Sequence, residues 1–457
     1  MMREDAGRPD LGNGSVRKLL AKLAVPAVVA QIVNLLYNIV ARIYIGHIPE
    51  IGSAALTGVG LFMPILMLLN AFAMMVGSGG APRASIAMGR GDFAGAQRIM
   101  GNCFTMLLAL AAVLTVVFSF TAEPLLRLFG ASEATLPYAL EYARIYIRGS
   151  VFVLVVMGMN MFITTQGFAA FSMMTTLIGA VINIVLDPIF IFVMDMGVKG
   201  AALATVLSQA VGMVWVLCFL TGKKTRLRIT AADMRLSGKV IGPVLALGVS
   251  TFIMLSTESL LSISFTSSLS RYGGDVAVGA MTIITSVSQL VSMPLSGVCQ
   301  GGGPIVSFNF GARKNDRVRQ AFYAQFAVCA GYAGVFWLAL LLVPRMFAGI
   351  FSSDPALVEY TVWAMRIYMA GIFALGIQMS CQYSFMSLGQ AKLSLLMACL
   401  RKVVLLIPLI FLLPLVFENK VFAVFLAEPV SDILAAAVTA GRFFRRFTAI
   451  LEAGPQK

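Results

Sequence analysis

The sequence predicts an all-α integral membrane protein with twelve transmembrane helices in two six-helix lobes, related by a pseudo-two-fold axis along the membrane normal. Three observations predict it. The chain of 457 residues is 59% hydrophobic with a mean hydropathy of +0.90, whereas a soluble domain is roughly 45 to 50% apolar. Apolar runs of ~20 residues or more, the length that crosses a bilayer, recur from end to end. Finally, the chain repeats itself at one constant offset.

In chain order the apolar runs are 20–45, 53–79, 97–120, 136–157, 162–192, 199–221, 240–269, 275–300, 319–343, 357–382, 389–416 and 420–441. The separators are short, so no soluble domain is left over. A shift of 222 residues lays GGAPRASIAMG, from Gly79 to Gly89, on GGGPIVSFNFG, from Gly301 to Gly311. The same shift pairs Phe129 with Phe351, Tyr138 with Tyr360, Arg144 with Arg366, Gly149 with Gly371 and Gly167 with Gly389. One offset held across six helices means two halves of equal length. An even number of helices per half gives both the same orientation. The expected organisation is an N-lobe over 1–221, a basic cytoplasmic linker over 222–239 and a C-lobe over 240–457.

The net charge of +14 reflects where lysine and arginine sit rather than a nucleic-acid partner. With both termini placed in the cytoplasm, the basic residues concentrate in the tails (Arg3, Arg8 and Lys457 among them) and in the loops around Arg83, Lys223, Arg313 and Arg445. The opposite loops hold Arg127, Lys199, Arg271, Arg345 and Lys420. This asymmetry satisfies the positive-inside rule and places the chain in a cell inner (plasma) membrane as a multi-pass protein. The six cysteines fall in or beside apolar runs without a CxxC pair or a histidine cluster, so neither a disulfide framework nor a metal site is signalled. The polar N-terminus lacks a signal-peptide cleavage pattern, so the first helix is expected to be retained.

The most informative stretch is INIVLDPIFIF, from Ile182 to Phe192. An ionised carboxylate at membrane depth costs roughly 2.5 to 3.5 kcal/mol even on lenient insertion scales, so Asp187 is a functional-site candidate by default. Asn183 lies one helical turn earlier on the same face, and an amide can hydrogen-bond either charge state of a carboxyl group. Pro188 removes a backbone donor beside it. The group reads as a proton or cation site, with Na+ at Asp187 and Asn183 as one form; interhelical hydrogen bonding is the plain alternative.

Other polar stripes accompany it. The first helix carries Asn34, Tyr37, Asn38 and Ala41 at helical spacing, and the sixth pairs Thr205 with Gln209. The seventh carries Glu258 in STESLLSIS, a second intramembrane acid. The eighth shows Thr282, Thr285, Gln289, Ser292 and Ser296, and the repeat-equivalent face of the second is Gly60, Met63, Met67, Asn70 and Met74. Flexible, polarisable methionine suits a surface that accepts ligands of many shapes, with core packing as the competing account. The paired arginines Arg144 and Arg366 read as structural. The Gly-Gly-x-Pro segments are expected to close the cytoplasmic ends of the lobes. Paired repeats without a soluble domain point to a secondary transporter with its cavity between the halves. No GxxxxGK[ST] motif signals ATP use.

On LYNIVARIYIGHIPEIGSAALTGVG, INIVLDPIFIF, QGGGPIVSFNFGARKNDRVRQA and the two RIY segments, the chain resembles the multidrug and toxic compound extrusion (MATE) family, DinF-like or MepA-like branch, over essentially its whole length. The resemblance implies a non-enzymatic antiporter that exports cationic amphipathic drugs in exchange for H+ or Na+, without other cofactors, and acts as a monomer. It implies an N-lobe ion-coupling cluster at Tyr37, position 41, Asn183, Asp187 and Thr205, with Glu258 as a C-lobe acid. The expected substrate cavity includes Asn34, Asn38, Met63, Met67, Asn70, Gln289 and Ser292. One residue departs from the pattern YNIVDRIYIG: Ala41 stands where the family has Asp. That implies either a substitution introduced to disable coupling or a natural divergence in which Asp187 and Glu258 carry it. The rival readings are a lipid-linked saccharide flippase of the same superfamily, which Arg144, Arg148 and Arg366 keep open, and an intramembrane transferase, whose paired Asp-rich motifs are missing here.

Overall fold

The computed structural model describes residues 10–352 and 354–455; Arg3, Arg8 and Lys457, counted above among the cytoplasmic charges, lie outside them. Every regular element among the described residues is helical. The spans are α1 (Val16–Gly46), α2 (Gly52–Gly89) and α3 (Phe93–Leu128), then α4, a bent pair Leu136–Arg148 and Ser150–Thr165. They continue with α5 (Ala169–Pro188, prolonged by a π-helical turn Ile189–Val193) and α6 (Gly197–Thr221). The continuous helix Gly238–Gly311 breaks at Gly274, where φ is 64°, into two arms, α7 (238–273) and α8 (275–311). The remaining spans are α9 (Asn315–Leu342), α10 (Pro355–Ser387), α11 (Ala391–Val416) and α12 (Lys420–Ala453). With the bent pair taken as one span and the long helix as two, twelve spans are present, as the apolar runs predict. Large apolar side chains stand exposed along them, such as Val116 at 58% and Phe120 at 81% on α3, a surface suited to lipid rather than water.

Two compact units divide the chain. One has Val29–Phe252 as its body; the other contains Gly12–Val28 and the chain from Ile253 onward. The first part of α1 therefore belongs with the second half of the sequence, and the first part of α7 with the first half.

The repeated glycines explain how each unit accommodates that segment. In the first unit a Cβ on Gly79 would stand 2.1 Å from the Val244 carbonyl of α7. In the second unit a Cβ on Gly301 would stand 2.5 Å from Cα of Ala24 on α1. Only glycine lets helix backbones approach so closely. These glycines lie inside α2 and α8 rather than in closing loops, which corrects the expectation drawn from the Gly-Gly-x-Pro pattern. Gly149 and Gly371 are a second tightly packed pair: a Cβ would meet the Val206 side chain of α6 at 2.4 Å in one unit and the Pro429 backbone of α12 at 2.7 Å in the other. At Gly149 the two pieces of α4 bend by 56°.

The run 162–192 is not a single span. The chain turns at Gly167, with φ at +92°, and the repeat-equivalent Gly389 turns with φ at +70°. Both are left-handed conformations that cost a Cβ-bearing residue, but hydropathy alone does not show a turn made within apolar sequence.

The 222–239 segment is held to the first unit by two buried amides. Gln166 accepts hydrogen bonds from the Thr225 hydroxyl at 2.8 Å and from the backbone N–H groups of Arg226 and Leu227 at 2.8 and 2.9 Å. Asn102 accepts from the N–H of Ser237 at 2.8 Å and donates to the Asp233 carbonyl at 3.1 Å. In the second unit the rings of Phe322, Phe385, Phe443 and Phe447 pack in a cluster that ties α9, α10 and α12.

The close approach at Gly301 makes a direct test. Gly301→Ala is expected to destabilise the chain by about 1 to 3 kcal/mol, as overpacking does. Gly331→Ala, where a Cβ meets nothing within 4 Å, is expected to be neutral or stabilising by up to about 1 kcal/mol through helix propensity. Thermal unfolding of the purified variants in detergent orders them.

Candidate functional site

The site in the first unit grows from one helical face. The i, i+4 spacing on α5 places Asn183 and Asp187 together, both 1% exposed. Asn183 donates through Nδ2 to Asp187 Oδ1 at 3.4 Å and to Thr205 Oγ1 of α6 at 3.3 Å. Thr205 in turn donates to the Ala201 carbonyl at 3.0 Å. Two buried acceptors are left over: Asp187 Oδ2 and Asn183 Oδ1 have no hydrogen-bond partner among the described residues. The π-helical turn Ile189–Val193 follows at once, and such turns recur at functional sites. The charge of Asp187 also acts on the hydroxyls of Tyr37 from α1 and Tyr142 from α4, and Tyr142 lies within hydrogen-bonding reach of Thr205.

The cluster expected from sequence is therefore assembled from Asp187, Asn183 and Thr205, with Tyr37 beside it. Ala41, one turn beyond Tyr37, is half-buried and brings no polar group. Tyr142 is a neighbour that sequence reading missed, because a tyrosine in a helix near an RIY segment carries no signal of its own.

The residues expected to line a substrate cavity divide between the units. Asn38 is exposed and donates to Asn34, at 2.7 Å to its carbonyl and 3.3 Å to its side-chain oxygen, so these two amides largely partner each other. Met67 is exposed and Met63 and Asn70 are half-buried, with Asn70 Oδ1 unpartnered. In the second unit Gln289 is exposed and Ser292 half-buried. Along α8 several hydroxyls donate to carbonyls of their own helix, Thr282 to Val278 at 3.0 Å and Thr285 to Met281 at 2.8 Å. That local bonding accounts for a hydroxyl stripe without any ligand.

Glu258 has company that the sequence reading did not assign. The Lys402 ammonium of α11 pairs with its carboxylate and donates to the Met254 carbonyl at 2.9 Å. Beside it Arg401 binds two acids of α12, Asp432 through Nε at 2.7 Å and Glu428 at 3.1 Å. Four of these five charged side chains are nearly enclosed, Glu258 being 52% exposed. The signal was available: Arg401 and Lys402 interrupt one apolar run, and Glu428 and Asp432 stand at i, i+4 in another. The reasoning that singled out Asp187 applies equally to them. Among the described residues no group of three or more histidine, cysteine or acidic side chains is arranged around a metal position.

Comparison with known proteins follows the same lines. The chain is similar to the multidrug export protein MepA of Staphylococcus saprophyticus, 23% identical over 93% of each sequence. It is similar to MepA of Staphylococcus aureus (strain N315), 21% identical over 93% of each. In fold it resembles a MATE protein crystallised in complex with MaD3S, with a TM-score of 0.90, 22% identity and 99% of each chain covered. It likewise resembles an outward-facing multidrug resistance MATE family transporter of the MOP superfamily, with a TM-score of 0.89, 23% identity and 97% and 98% of the chains covered. The MatE family model matches twice, at residues 26–189 and 250–412, once in each half of the sequence repeat. Covered over most of its length by those two matches, and folded as the known MATE structures are, the chain belongs to the MatE family.

Proposed function

We propose that the chain is a cation-coupled antiporter of a cell inner (plasma) membrane, exporting cationic amphipathic drugs by alternating access in exchange for H+ or Na+. The observation that carries this reading is the pair of buried acceptors, Asp187 Oδ2 and Asn183 Oδ1, left without a donor. A carboxylate in that position has every physical reason to take up a cation. With a proton bound, Oδ2 becomes a donor and the Asn183 side-chain oxygen is an acceptor of the right kind. With Na+ bound, the same oxygens and Thr205 Oγ1 supply hard ligands. Either ion removes the cost of the bare charge, and returns it on leaving. A site with that property couples ion movement to a conformational change when it is presented first to one side of the membrane and then to the other.

Export as the direction and drugs as the cargo rest on the relatives, which are multidrug export proteins. The flippase alternative needs free basic groups for a diphosphate. Arg401 and Lys402, the enclosed bases of the second unit, are already bound to carboxylates.

The test is uptake of a fluorescent cationic drug into inside-out vesicles under an imposed pH gradient and then a Na+ gradient. Uptake is expected with one gradient and is expected to fall to the background of empty vesicles in Asp187→Asn; undiminished uptake in that variant removes Asp187 from coupling. The same substitution is expected to leave the thermal unfolding temperature unchanged or raised, because it deletes a buried charge whose second oxygen is unpartnered.

Ala41→Asp adds a second carboxylate one turn from Tyr37. It is expected to increase gradient-driven uptake, since two acids sharing a site hold one proton far more readily than a lone acid. Equal uptake by both forms places position 41 outside the coupling site.

A further inference from the structure

The five-charge network of the second unit is built on the repeat equivalents of the spans that build the Asp187 site. Glu258 of α7 is one residue from Ser259, the repeat equivalent of Tyr37 on α1. Glu428 of α12 is one residue from Ala427, the equivalent of Thr205 on α6. Arg401 and Lys402 stand on α11, the equivalent of α5, in a π-helical turn Leu400–Leu406. Within it the Arg401 carbonyl accepts a hydrogen bond from the Ser431 hydroxyl at 2.8 Å.

The charges do not balance. Glu258, Glu428 and Asp432 are three carboxylates against two bases, Arg401 and Lys402, so the fully ionised network carries one excess negative charge. An uncompensated charge enclosed at membrane depth is costly, and a proton or a bound cation relieves it. The exposure is also uneven: Glu258 is 52% exposed while Lys402, which holds it, is 6% exposed. Lys402 lies near enough to Glu428 and Asp432 for its charge to act on both. From α10, Tyr368 also senses the network.

We propose that this network is a second cation-exchange site, in which Lys402 is a tethered cation that occupies Glu258 until a monovalent organic cation displaces it onto the Glu428–Asp432 pair. The resting network carries one proton on that pair. When the organic cation binds Glu258, Lys402 neutralises the pair in the proton's place, and the proton leaves to solvent. One cation enters and one proton departs, with the total charge unchanged. Lys402 is thus a specificity-determining residue: it sets the affinity of Glu258 for cations and ties their binding to proton release. The inference deepens the reading of the chain as an exporter of cations and rests on it.

The experiment uses the full chain purified in detergent with Asp187→Asn as background, so that protons from the first unit do not contribute. Ethidium, a monovalent organic cation, is titrated in weakly buffered solution while its fluorescence reports binding and an indicator dye reports protons. About one proton per bound ethidium is expected, the linkage that obligatory exchange requires. Lys402→Gln is expected to tighten ethidium binding about tenfold, the order of a typical coupling between two ligands, and to abolish proton release. Glu258→Gln, a near-isosteric change at a half-exposed position, is expected to abolish binding, so the test does not depend on the lysine variant folding. Wild-type affinity in Glu258→Gln, weakened binding in Lys402→Gln, or ethidium binding without proton release overturns the proposal. Drug uptake by vesicles carrying the unaltered chain separates the two readings. Uptake without exchange at the network refutes this inference alone, whereas exchange without uptake refutes the exporter reading and leaves the site standing.

Discussion

A charged or polar group at membrane depth must find a partner inside the protein, because hydrocarbon offers none. The two units meet this constraint on equivalent spans in opposite ways. In the first, Asp187 is given an amide and, through it, a hydroxyl, and one carboxylate oxygen is left with nothing. In the second, the three acids of the network share two bases: Glu258 has Lys402, and Glu428 and Asp432 share Arg401. The repeated architecture fixes which helices come together. The side chains placed on them decide whether the result is an open demand for a cation or one largely met from within.

The same economy governs the backbone. Several glycines that recur at the 222-residue offset fall where another helix packs closely or where the chain turns with positive φ. Gly79 and Gly301 allow the first parts of α7 and α1 to lie against α2 and α8 in their respective units. Gly149 makes room for the Val206 side chain of α6, and Gly371 for the Pro429 backbone of α12. These contacts place the spans that carry the charged groups, so the register of the functional side chains depends on positions that bear no side chain at all. Within a membrane, where hydrophobic burial cannot drive one helix onto another, such close packing carries much of the association.

Much of this was legible in the sequence. Apolar runs gave the spans, one offset gave the repeat, and an acid with an amide four residues before it gave the core of the Asp187 site. Other features were illegible for definite reasons. The turn at Gly167 lies within apolar residues, and hydropathy registers transfer free energy rather than direction. The Thr282–Thr285 stripe looked like a lining, but a hydroxyl can bond its own helix's carbonyl, and period alone does not distinguish the two. Asn34 and Asn38 likewise turned to each other. The Arg401, Lys402, Glu428 and Asp432 network is a different matter, since the same insertion-cost argument applied to all four. What sequence spacing could not supply was the pairing, which joins residues 144 apart for Lys402 and Glu258 and 31 apart for Arg401 and Asp432.

Set side by side, the two charged sites share one quantity. At the Asp187 site a single carboxylate is in no ion pair among the described residues, while the charge of Arg42 reaches Tyr142 beside it. The network of the second unit holds three carboxylates and two bases. Counted by ion pairs alone, each is one negative charge in excess, reached by the sparest route in one unit and by near-complete compensation in the other. The consequence is a difference in selectivity rather than in stoichiometry. A lone acid among neutral oxygens takes a small cation that fits between them, because the surroundings are fixed and few. An acid already occupied by a tethered ammonium takes only a cation that outcompetes it, and a bulky organic cation that buries apolar surface as it binds has that advantage over a hydrated ion. The same excess charge, differently compensated, can therefore separate an ion site from an organic-cation site within one repeated fold.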